Sequence, residues 1–513
     1  MTNTPADHSP DQPRDSRTAS SGHIPHPGAG ITNPGPATTN PGPATTSPNA
    51  TTSPGAATNP SPATGQNTGN HTTDTTFELV KYLGEVSDPL AEHATAIPES
   101  GEPVGRKKFS QGRVGVIKTP HGNIQTPAFI PVATKATVKT LTPEQVRATG
   151  AQAMLSNAYH LYLQPGPDIV DEAGGVARFE NWHGPTYTDS GGFQVMSLGV
   201  GFKKVLAMDT KGLDKDKIIA QQKKRMAVVD EDGVDFRSVI DGSKHRFTPE
   251  VSMQIQHQLG ADIMFAFDEL TTLANTREYQ EKSVARTHRW ARRCLEEHEL
   301  QTQLRTHRPL QSLWGVVQGA QYEDLRRQAA QGLVQLSQEA ESQGKRGFGG
   351  YGIGGALEKE NLGTIVDWVS QELPDDKPRH LLGISEPDDL FTAIAAGADT
   401  FDCVAPTRLG RRGGVYTLDG RLNLMGAKFR RDFTPIDEEV GGYVSENYTR
   451  AYIHHLLRAK EFLAGTLCTM HNLHFMIGLV DRIREAMLED RFEEYRAEFM
   501  ARYYGPGWEN RLG

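Results

Sequence analysis

The pattern that most constrains the fold is an alternation of short apolar runs with longer amphipathic segments, which continues over most of the chain. Amphipathic segments such as Glu278–Glu297 and Tyr322–Glu341 separate several of the runs. Strands alternating with helices of this length form a parallel sheet, and the number of units favours a (β/α)8 TIM-type barrel of the α/β class over an open sheet. The apolar runs are Ala153–Asn157, Ile263–Phe267, Leu313–Val317, Tyr351–Ile353, His380–Ile384 and Thr400–Val404.

The flanking regions follow other patterns. Phe109–Thr134 has short β-prone runs broken by Gly and Pro, which predicts an N-terminal antiparallel β-meander. Thr142 and Gln145 have the spacing of a capping box, so a helix is expected to begin there. Residues from about 415 to 513 are predicted to form a small helical C-terminal subdomain, so that 77–513 is one barrel domain with this subdomain included.

Residues 1–76 have a different composition. They hold 13 of the 31 prolines, repeat NPGPATT in tandem, and contain no Phe, Trp, Tyr, Leu or Val. Such a segment cannot bury enough apolar surface to offset its ordering entropy, which predicts a disordered tail. The tail either binds a partner or is an extension without one. The Lys-rich stretch 199–226 is either a solvated surface excursion or an insertion that touches RNA.

Composition excludes several classes of protein. The net charge of -9 argues against a protein that coats nucleic acid nonspecifically, although a local basic patch can still bind RNA. No membrane helix and no signal segment are expected. Three scattered cysteines are too few for a disulfide framework or a CxxC metal site. We therefore expect a soluble cytoplasmic protein.

Acidic residues directly follow three of the apolar runs. They are Asp189, Asp268 and Asp402, and the carboxyl ends of barrel strands converge on one site. Any one of them alone could be a helix N-cap, but jointly they favour a functional site. Two carboxylates at one centre suit a nucleophile and a proton shuttle acting on a glycosidic carbon. A third carboxylate beside Gln318 and paired glycines suits a reader of a guanine-like edge, on which Phe193 could stack.

These motifs together resemble the bacterial tRNA-guanine transglycosylases (queuine tRNA-ribosyltransferases) from about Phe109 to the C-terminus. The similar segments are TDSGGFQV at 188–195, DGSKHR at 241–246, the VQG and IGG turns at 317–319 and 353–355, FDCVAPTR at 401–408, NYTRAYIHHLL at 447–457 and TMHNLHF at 469–475. The resemblance implies a (β/α)8 barrel with an N-terminal antiparallel sheet and a small C-terminal subdomain. It also implies exchange of guanine at the wobble position of tRNAs with a GUN anticodon for 7-aminomethyl-7-deazaguanine, commonly by a homodimer that needs no ATP.

The resemblance also assigns residue roles. Asp402 is the expected nucleophile on the ribose, giving a covalent Asp–ribosyl intermediate, and Asp189 is the expected proton donor and acceptor at the base nitrogen. The expected base-binding residues are Ser190, Gly191, Gly192, Phe193, Asp268, Gln318, Gly354, Gly355 and Leu382. The expected RNA-binding residues are Gly383, Ile384, Ser385, Glu386, Pro387, Asp388, Asp389, Thr407, Arg408, Leu409, Gly410 and Arg411.

The chain departs from the family at a metal site. The family usually binds zinc with three cysteines and a later histidine, but the corresponding positions here are Val440, Gly442, Ser445 and His471. Val and Gly side chains cannot ligate zinc, and a structural site needs four ligands. Cys468 lies near in sequence but does not rebuild the set. We therefore expect no zinc and no other cofactor.

A second departure follows Gly355, where the family's Leu-Ala-Val-Gly-Glu turn is replaced by Ala-Leu-Glu-Lys-Glu. The acid that meets the aminomethyl group of the incoming base could be Glu358 or Glu360, or both could be solvated helix-start carboxylates. Leu270 stands where the family commonly has Cys, which should affect only packing.

Other functions remain to be distinguished from base exchange. A catalytically silent RNA-binding partner subunit would not need both Asp189 and Asp402. A glycoside hydrolase would release sugar and would not explain the base-reading residues. An archaeal-like exchanger acting in the tRNA D-arm would need an additional RNA-binding domain, for which the chain has no room.

Overall fold

The computed structural model describes residues 74–88, 108–198 and 227–508. The strands are β1 (Thr76–Tyr82), β2 (Val86–Ser87), β3 (Lys108–Phe109), β4 (Arg113–Thr119), β5 (Gly122–Thr126), β6 (Ala128–Ala133), β7 (Met154–Asn157), β8 (Thr186–Asp189), β9 (Ala227–Val229), β10 (Val234–Arg237), β11 (Lys244–Phe247), β12 (Ile263–Phe265), β13 (Ser312–Val317), β14 (Gly350–Ile353), β15 (Arg379–Leu381), β16 (Thr400–Cys403), β17 (Gly414–Thr417) and β18 (Gly420–Asn423). Residues 1–73 of the predicted 1–76 tail and the Lys-rich stretch 199–226 lie outside the described residues, so the predictions made for them stay predictions, whereas β1 already begins at Thr76.

Helices follow most of the strands. They are α1 (Pro143–Arg147), α2 (Ala158–Leu163), α3 (Pro167–Glu172), α4 (Val176–Phe179), α5 (Gly192–Leu198), α6 (Pro249–Leu259), α7 (Arg277–Leu304), α8 (Glu323–Ser342), α9 (Leu362–Ser370), α10 (Pro387–Ala395), α11 (Ala405–Gly410), α12 (Gly442–Asn447), α13 (Arg450–Ala459), α14 (Phe462–Leu488) and α15 (Phe492–Tyr504), with 3-10 turns at Lys359–Asn361 and Ala427–Arg431. The predicted capping box at the start of α1 is present, with both reciprocal hydrogen bonds between Thr142 and Gln145 formed.

Eight parallel strands form a closed barrel in the order β12-β13-β14-β15-β16-β6-β7-β8. Closure comes from the pairing of β16 with β6, in which Thr400 lies opposite Ala128 and Asp402 opposite Ile130, and from that of β8 with β12. The predicted (β/α)8 fold is therefore confirmed. Because the strands are parallel, their carboxyl ends all lie at one mouth of the barrel.

One strand was predicted in the wrong sheet. The segment Phe109–Thr134 was expected to be a single antiparallel meander, but β4 and β5 pair antiparallel in a sheet of order β1-β4-β5, and Phe109 pairs antiparallel with Val86 in a separate two-stranded sheet. Its last strand, β6, is the first strand of the barrel. All six residues of β6 are buried, as expected of a parallel strand covered on both faces rather than of a half-exposed hairpin strand.

The N-terminal sheet covers the barrel end opposite the site. His121 contacts Asp262, just before β12, at 2.7 Å between Nδ1 and Oδ1, and the Gln125 N–H donates to the Gln152 side chain, before β7. Phe77, Ile117 and Ile124 of this sheet share one hydrophobic cluster with barrel-interior residues such as Trp314. The apolar cap at this end leaves the carboxyl ends of the strands free.

The C-terminal region begins with the hairpin β17–β18 and continues as helices α12 to α15, so the predicted helical subdomain also contains a short antiparallel sheet. Among the described residues, α14 is one helix long and apolar enough to cross a membrane, contrary to the sequence expectation. However, 72% of its most apolar window is buried inside the protein, which is typical of a core helix.

Candidate active site

The polar residues singled out at the ends of the apolar runs lie together at the barrel mouth. Asp189 ends β8, Asp268 follows β12, and Gln318 follows β13. Gly354 and Gly355 follow β14, Leu382 follows β15, and Asp402 lies in β16. These positions come from six different strands, so the barrel, rather than local sequence, brings them to one centre.

Four nitrogen donors surround the Asp189 carboxyl group. The backbone N–H of Ala158 donates to Oδ1 at 2.9 Å, and that of Gly191 donates to the same oxygen at 3.2 Å. The side-chain amides of Asn157 and Gln194 donate to Oδ2, the latter at 3.2 Å. The carboxyl group is therefore fixed in orientation by neighbours on both the preceding strand and the following helix.

Burial raises the pKa of Asp189 to about 7, and the negative charge of Asp402 acts in the same direction. Hydrogen bonds from Ala158, Gly191 and Gln194 lower this pKa and only partly offset the burial. Strands β8 and β16 are not neighbours, because β6 and β7 lie between them in the closed order. Since the charge on Asp402 nevertheless raises the pKa of Asp189, the two carboxyl groups lie within electrostatic range of each other.

Asp402 is held through one of its two oxygens. His380 Nε2 lies 3.1 Å from Oδ1, and the backbone N–H of Gly383 donates to the same oxygen at 3.2 Å. Sequence reasoning missed His380, although a usable signal existed. Residues 380 and 382 alternate onto the same face of an extended chain, so the base-binding assignment of Leu382 also pointed His380 inward.

Asp268 and Gln318 form the centre of the expected base-reading set. The Gln318 amide donates to Asp268 Oδ2 at 2.6 Å, and the Ser190 hydroxyl lies 3.5 Å from Oδ1. Burial raises the pKa of Asp268 to about 6, whereas the bonds from Gln318 and Ser190 lower it. Gly192 fits closely here, since a Cβ would lie 3.1 Å from the Asp268 carbonyl oxygen.

The paired glycines leave room beside Gln318. A Cβ at Gly354 would lie 3.0 Å from the Gln318 Nε2 and 3.5 Å from Leu382. At Gly355, where φ is +91°, a Cβ would lie 2.8 Å from the Gln318 Oε1. That buried oxygen has no hydrogen-bond partner among the described residues. An unpaired acceptor beside two glycines is therefore available to a bound ligand.

A buried arginine joins the two turns that carry these residues. Arg326 is fully buried and donates to the carbonyl oxygens of Ala320 at 2.8 Å, Val317 at 3.2 Å and Gly354 at 2.6 Å. Burial lowers its pKa to about 9. Its position on α8 gives no signal in the sequence, because the contact depends on how the helix packs on the barrel.

Two apolar residues complete the expected base site. Phe193 is 49% exposed, so its ring is accessible, and Leu382 is only partly buried against the barrel-interior cluster. Leu270 packs against the main core, in agreement with the packing role expected for it.

The expected RNA-binding residues divide into accessible and buried groups. Gly383 and Arg408 are exposed, and Glu386, Leu409 and Arg411 are half-buried. The buried members are Ile384, Ser385, Pro387, Asp388, Asp389, Thr407 and Gly410. The structure therefore brings only part of this set to a surface that RNA could reach.

The two buried acids of that set have partners inside the protein. The Lys359 ammonium lies 2.5 Å from Asp388 and 3.1 Å from Asp389, and the Tyr504 hydroxyl donates to Asp388 at 2.6 Å. Burial, followed by the charge of Asp388, raises the pKa of Asp389 to about 7, and the charge of Glu360 acts in the same direction. Glu360 is thus near this ionic cluster, which supports the loop rather than presenting carboxylates to RNA.

The residues at the family's zinc positions do not fit the metal. Val440 is buried, and Ser445 accepts a hydrogen bond from the backbone N–H of Asp437 at 3.4 Å. His471 is buried, and its Nε2 contacts the Tyr416 carbonyl oxygen at 2.7 Å. Burial lowers the pKa of His471 to about 4. One imidazole and one hydroxyl do not supply the four ligands that a structural zinc site requires.

Backbone geometry at the third position also disfavours a ligand. Gly442 has φ +77°, and a Cβ there would lie 2.5 Å from the His474 ring. Burial raises the pKa of the nearby Cys468 thiol to about 12, so it stays protonated. The part of the chain that the structure describes contains no group of three His, Cys, Asp or Glu residues arranged to hold a metal ion.

Comparison with known proteins agrees with this geometry. The model of the family described as queuine tRNA-ribosyltransferase matches residues 108–505. The chain is 44% identical over 401 residues to the queuine tRNA-ribosyltransferase of Halothermothrix orenii, covering 78% of this chain and 96% of that protein. It is also 44% identical over 399 residues to that of Bacillus subtilis, covering 77% and 94%.

The chain belongs to the queuine tRNA-ribosyltransferase family. As a bacterial tRNA-guanine transglycosylase it is a pentosyltransferase, with a tRNA and a base as its substrates. The recognition made from the strand-end motifs is confirmed, and a glycoside hydrolase is excluded.

Proposed function

We propose that this tRNA-guanine transglycosylase exchanges guanine at the wobble position of tRNAs with a GUN anticodon for 7-aminomethyl-7-deazaguanine, a step in queuosine biosynthesis. The observation that carries the proposal is the pairing of two unlike carboxyl groups at one barrel mouth. Asp402 is held by two donors through one oxygen, whereas burial and the Asp402 charge raise the pKa of Asp189 to about 7.

In the first half-reaction, a carboxylate oxygen of Asp402 forms a bond to the ribose anomeric carbon. The bond from that carbon to the guanine nitrogen breaks, and its electron pair stays on the nitrogen. Protonated Asp189 donates its proton to this nitrogen, so neutral guanine leaves. A pKa of about 7 leaves a large fraction of Asp189 able to do this at neutral pH.

The second half-reaction reverses these changes with a new base. The incoming base loses its ring N–H proton to the Asp189 carboxylate, and its nitrogen attacks the anomeric carbon. The ester bond to Asp402 breaks, which restores the Asp402 carboxylate and protonated Asp189. Two displacements at one carbon give net retention and ping-pong order, and the RNA backbone stays intact.

The base would be read by Asp268, Gln318 and the turn at Gly354 and Gly355. A carboxylate accepts from the N–H donors on one edge of a guanine-like base, while amide and backbone N–H groups donate to its carbonyl. Phe193 and Leu382 would hold its two faces. The accessible residues Gly383, Arg408 and Arg411, with the rest of their loops, would contact the RNA around the anticodon.

We also propose that the enzyme works without zinc or another cofactor, as a cytoplasmic homodimer. The misfit of the residues at the family's zinc positions supports the first point, and the resemblance to dimeric relatives supports the last. Light scattering after size-exclusion chromatography at micromolar concentration tests the dimer, since a mass near that of one chain would contradict it.

An exchange assay tests the proposed function and its main alternative. The protein is incubated with labelled guanine and a tRNA bearing a GUN anticodon, and the assay is repeated with wobble guanosine replaced by adenosine. Incorporation is expected only with guanosine. A catalytically silent partner subunit would bind the tRNA and incorporate label into neither, and incorporation into both would contradict wobble-position exchange.

A further inference from the structure

The imidazole of His380 lies at the end of a buried hydrogen-bond chain that leads to the expected nucleophile. His380 is fully buried in β15. Its Nδ1 lies 2.8 Å from the Thr400 hydroxyl, and its Nε2 lies 3.1 Å from Asp402 Oδ1. Thr400 and Asp402 are two residues apart on β16, so both side chains project to the same face of that strand.

The contacts of His380 limit where its ring protons lie. The Asp402 carboxylate can only accept, so His380 Nε2 must donate to it. In a neutral ring Nδ1 is then unprotonated and can accept from the Thr400 hydroxyl. The ring cannot rotate freely, because it packs against Tyr187 and Phe265 at centroid distances of 5.7 and 5.1 Å.

The same contacts distinguish the two oxygens of Asp402. Oδ1 accepts from both His380 and the backbone N–H of Gly383, whereas Oδ2 has no hydrogen-bond donor among the described residues. The Asp402 side chain is 15% exposed, so a route from the barrel mouth exists. An oxygen with two donors is a poorer nucleophile than one whose lone pairs are free.

We infer that His380 is a positioning residue for the nucleophile: it holds Asp402 by Oδ1 so that Oδ2 attacks the ribose, and Thr400 fixes the tautomer required for this. The inference rests on the proposed function. The bond that forms is from Oδ2 to the anomeric carbon, and the bond that breaks is from that carbon to guanine. A neutral donor suits this task, because an imidazolium would form an ion pair that weakens the carboxylate as a nucleophile.

The test measures covalent adduct formation in single turnover, with enzyme in excess over a GUN tRNA and the adduct resolved on a denaturing gel. His380→Phe keeps the ring packing but removes the donor, and His380→Gln keeps an N–H near the position of Nε2. Thr400→Val removes only the hydroxyl, while Thr400→Ser retains it. The matched control is His288→Gln, a helix histidine bonded to the Ala329 carbonyl oxygen outside the site.

We expect His380→Phe to slow adduct formation by ~10–100-fold, the value of one hydrogen bond to a charged group, with the tRNA Kd unchanged. His380→Gln should recover part of this loss. Thr400→Val should slow the step by ~3–10-fold, and Thr400→Ser and His288→Gln should match the parent protein.

The possible outcomes separate a failure of the proposed function from a failure of the inference about His380. A parent protein that forms no adduct contradicts the proposed function itself, whatever the variants do. If the parent protein forms the adduct and His380→Phe forms it equally fast, the inference is overturned, and His380 serves only in the packing of the barrel interior. If His380→Phe does not fold, as judged by circular dichroism, then the Thr400 pair decides: equal rates for the Val and Ser variants overturn the inference.

Discussion

The barrel mouth and the C-terminal region have diverged from the family to different extents. At the mouth, every group expected to make or break a bond is present, and the charge of Asp402 raises the pKa of Asp189. In the C-terminal region, three of the four expected metal ligands are replaced and only His471 remains. Groups that react with a substrate have no equivalent substitute, whereas a metal that only cross-links the chain contributes stability, which packing and hydrogen bonds can also supply.

Hydrogen bonds and ring packing hold the C-terminal hairpin to the long helix α14. The buried Asn472 side chain accepts from the Tyr416 N–H at 3.1 Å and donates to the carbonyl oxygens of Pro406 and Gly414, each at 3.0 Å. It therefore joins α14 to α11 and to the first strand of the hairpin. Tyr416 also stacks on Phe475 at a centroid distance of 5.4 Å, so the hairpin is held to α14 by both polar and apolar contacts.

The largest effect is expected from Asp402→Asn. A carboxamide is a much weaker nucleophile than a carboxylate, so adduct formation and guanine exchange should fall by at least ~10³-fold. Circular dichroism and tRNA binding should be unchanged. Asp419→Asn is the matched control, because Asp419 is an exposed acid on the β17–β18 hairpin. An Asp402→Asn protein that still accumulates adduct would refute the assignment of the nucleophile.

The next effect concerns the pH dependence set by Asp189. Since burial raises its pKa to about 7, its proton is present below this pH and lost above it. Adduct formation needs the proton, so its rate should fall by up to about tenfold per pH unit above pH 7. Asp189→Asn should lower the rate by ~10²–10⁴-fold and remove this dependence. A parent rate that is flat from pH 6 to 9 would contradict the role of Asp189 as the proton donor.

The sequence predicted the barrel and the strand ends at which the candidate residues lie, but not the neighbours that those residues contact. Asp189 and Asp402 were found because a carboxylate after an apolar run is conspicuous, and the barrel places such ends together. The assignment of β6 was wrong because one strand of a parallel sheet cannot be told from a meander strand by composition. Arg326 and His380 were missed because their contacts depend on packing between elements far apart in the chain.

Burial of residues in the predicted RNA-binding loop also depends on contacts between distant parts of the chain, which the sequence does not show. Asp388 and Asp389 were assigned from their place in a motif, but pairing with Lys359 and Tyr504 places their carboxylates inside the protein. Both partners come from other parts of the chain, one from the turn after Gly355 and one from the last helix. A residue's position in a motif predicts the loop on which it lies, and the tertiary structure decides which way it faces.

A smaller effect, on stability alone, is expected from Asn472→Ala. Removing the side chain leaves the Tyr416 N–H and two carbonyl oxygens unpaired in a buried place, at a cost of about 2–4 kcal/mol in the free energy of unfolding. Urea unfolding followed by circular dichroism measures this. Asn447→Ala is the control, because Asn447 donates to a backbone carbonyl in an exposed position of the same region. Equal stability of the two variants would show that Asn472 contributes no more to the free energy of unfolding than an exposed asparagine of the same region.

The exchange activity of Asn472→Ala tests whether the C-terminal region affects the barrel mouth. Asn472 lies in the C-terminal region and not among the groups expected to react, so folded Asn472→Ala protein should retain the parent kcat at a temperature well below its Tm. A loss of kcat in protein that is still folded would mean that the C-terminal region sets the geometry of the barrel mouth. The two regions would then not be separable in the way that their sequence divergence suggests.

The smallest effect, none, is expected from metal removal. Dialysis against EDTA should change neither the Tm nor the exchange rate, and elemental analysis of the purified protein should give less than stoichiometric zinc, because His471 is the one family ligand retained. One tightly held zinc per chain, with a fall in Tm on its removal, would contradict this.

A second experiment introduces cysteines at the family's zinc positions with Val440→Cys, Gly442→Cys and Ser445→Cys, and measures the stability of the metal-free protein. A Cβ at 442 would lie 2.5 Å from the His474 ring, so the metal-free triple variant should be less stable than the parent.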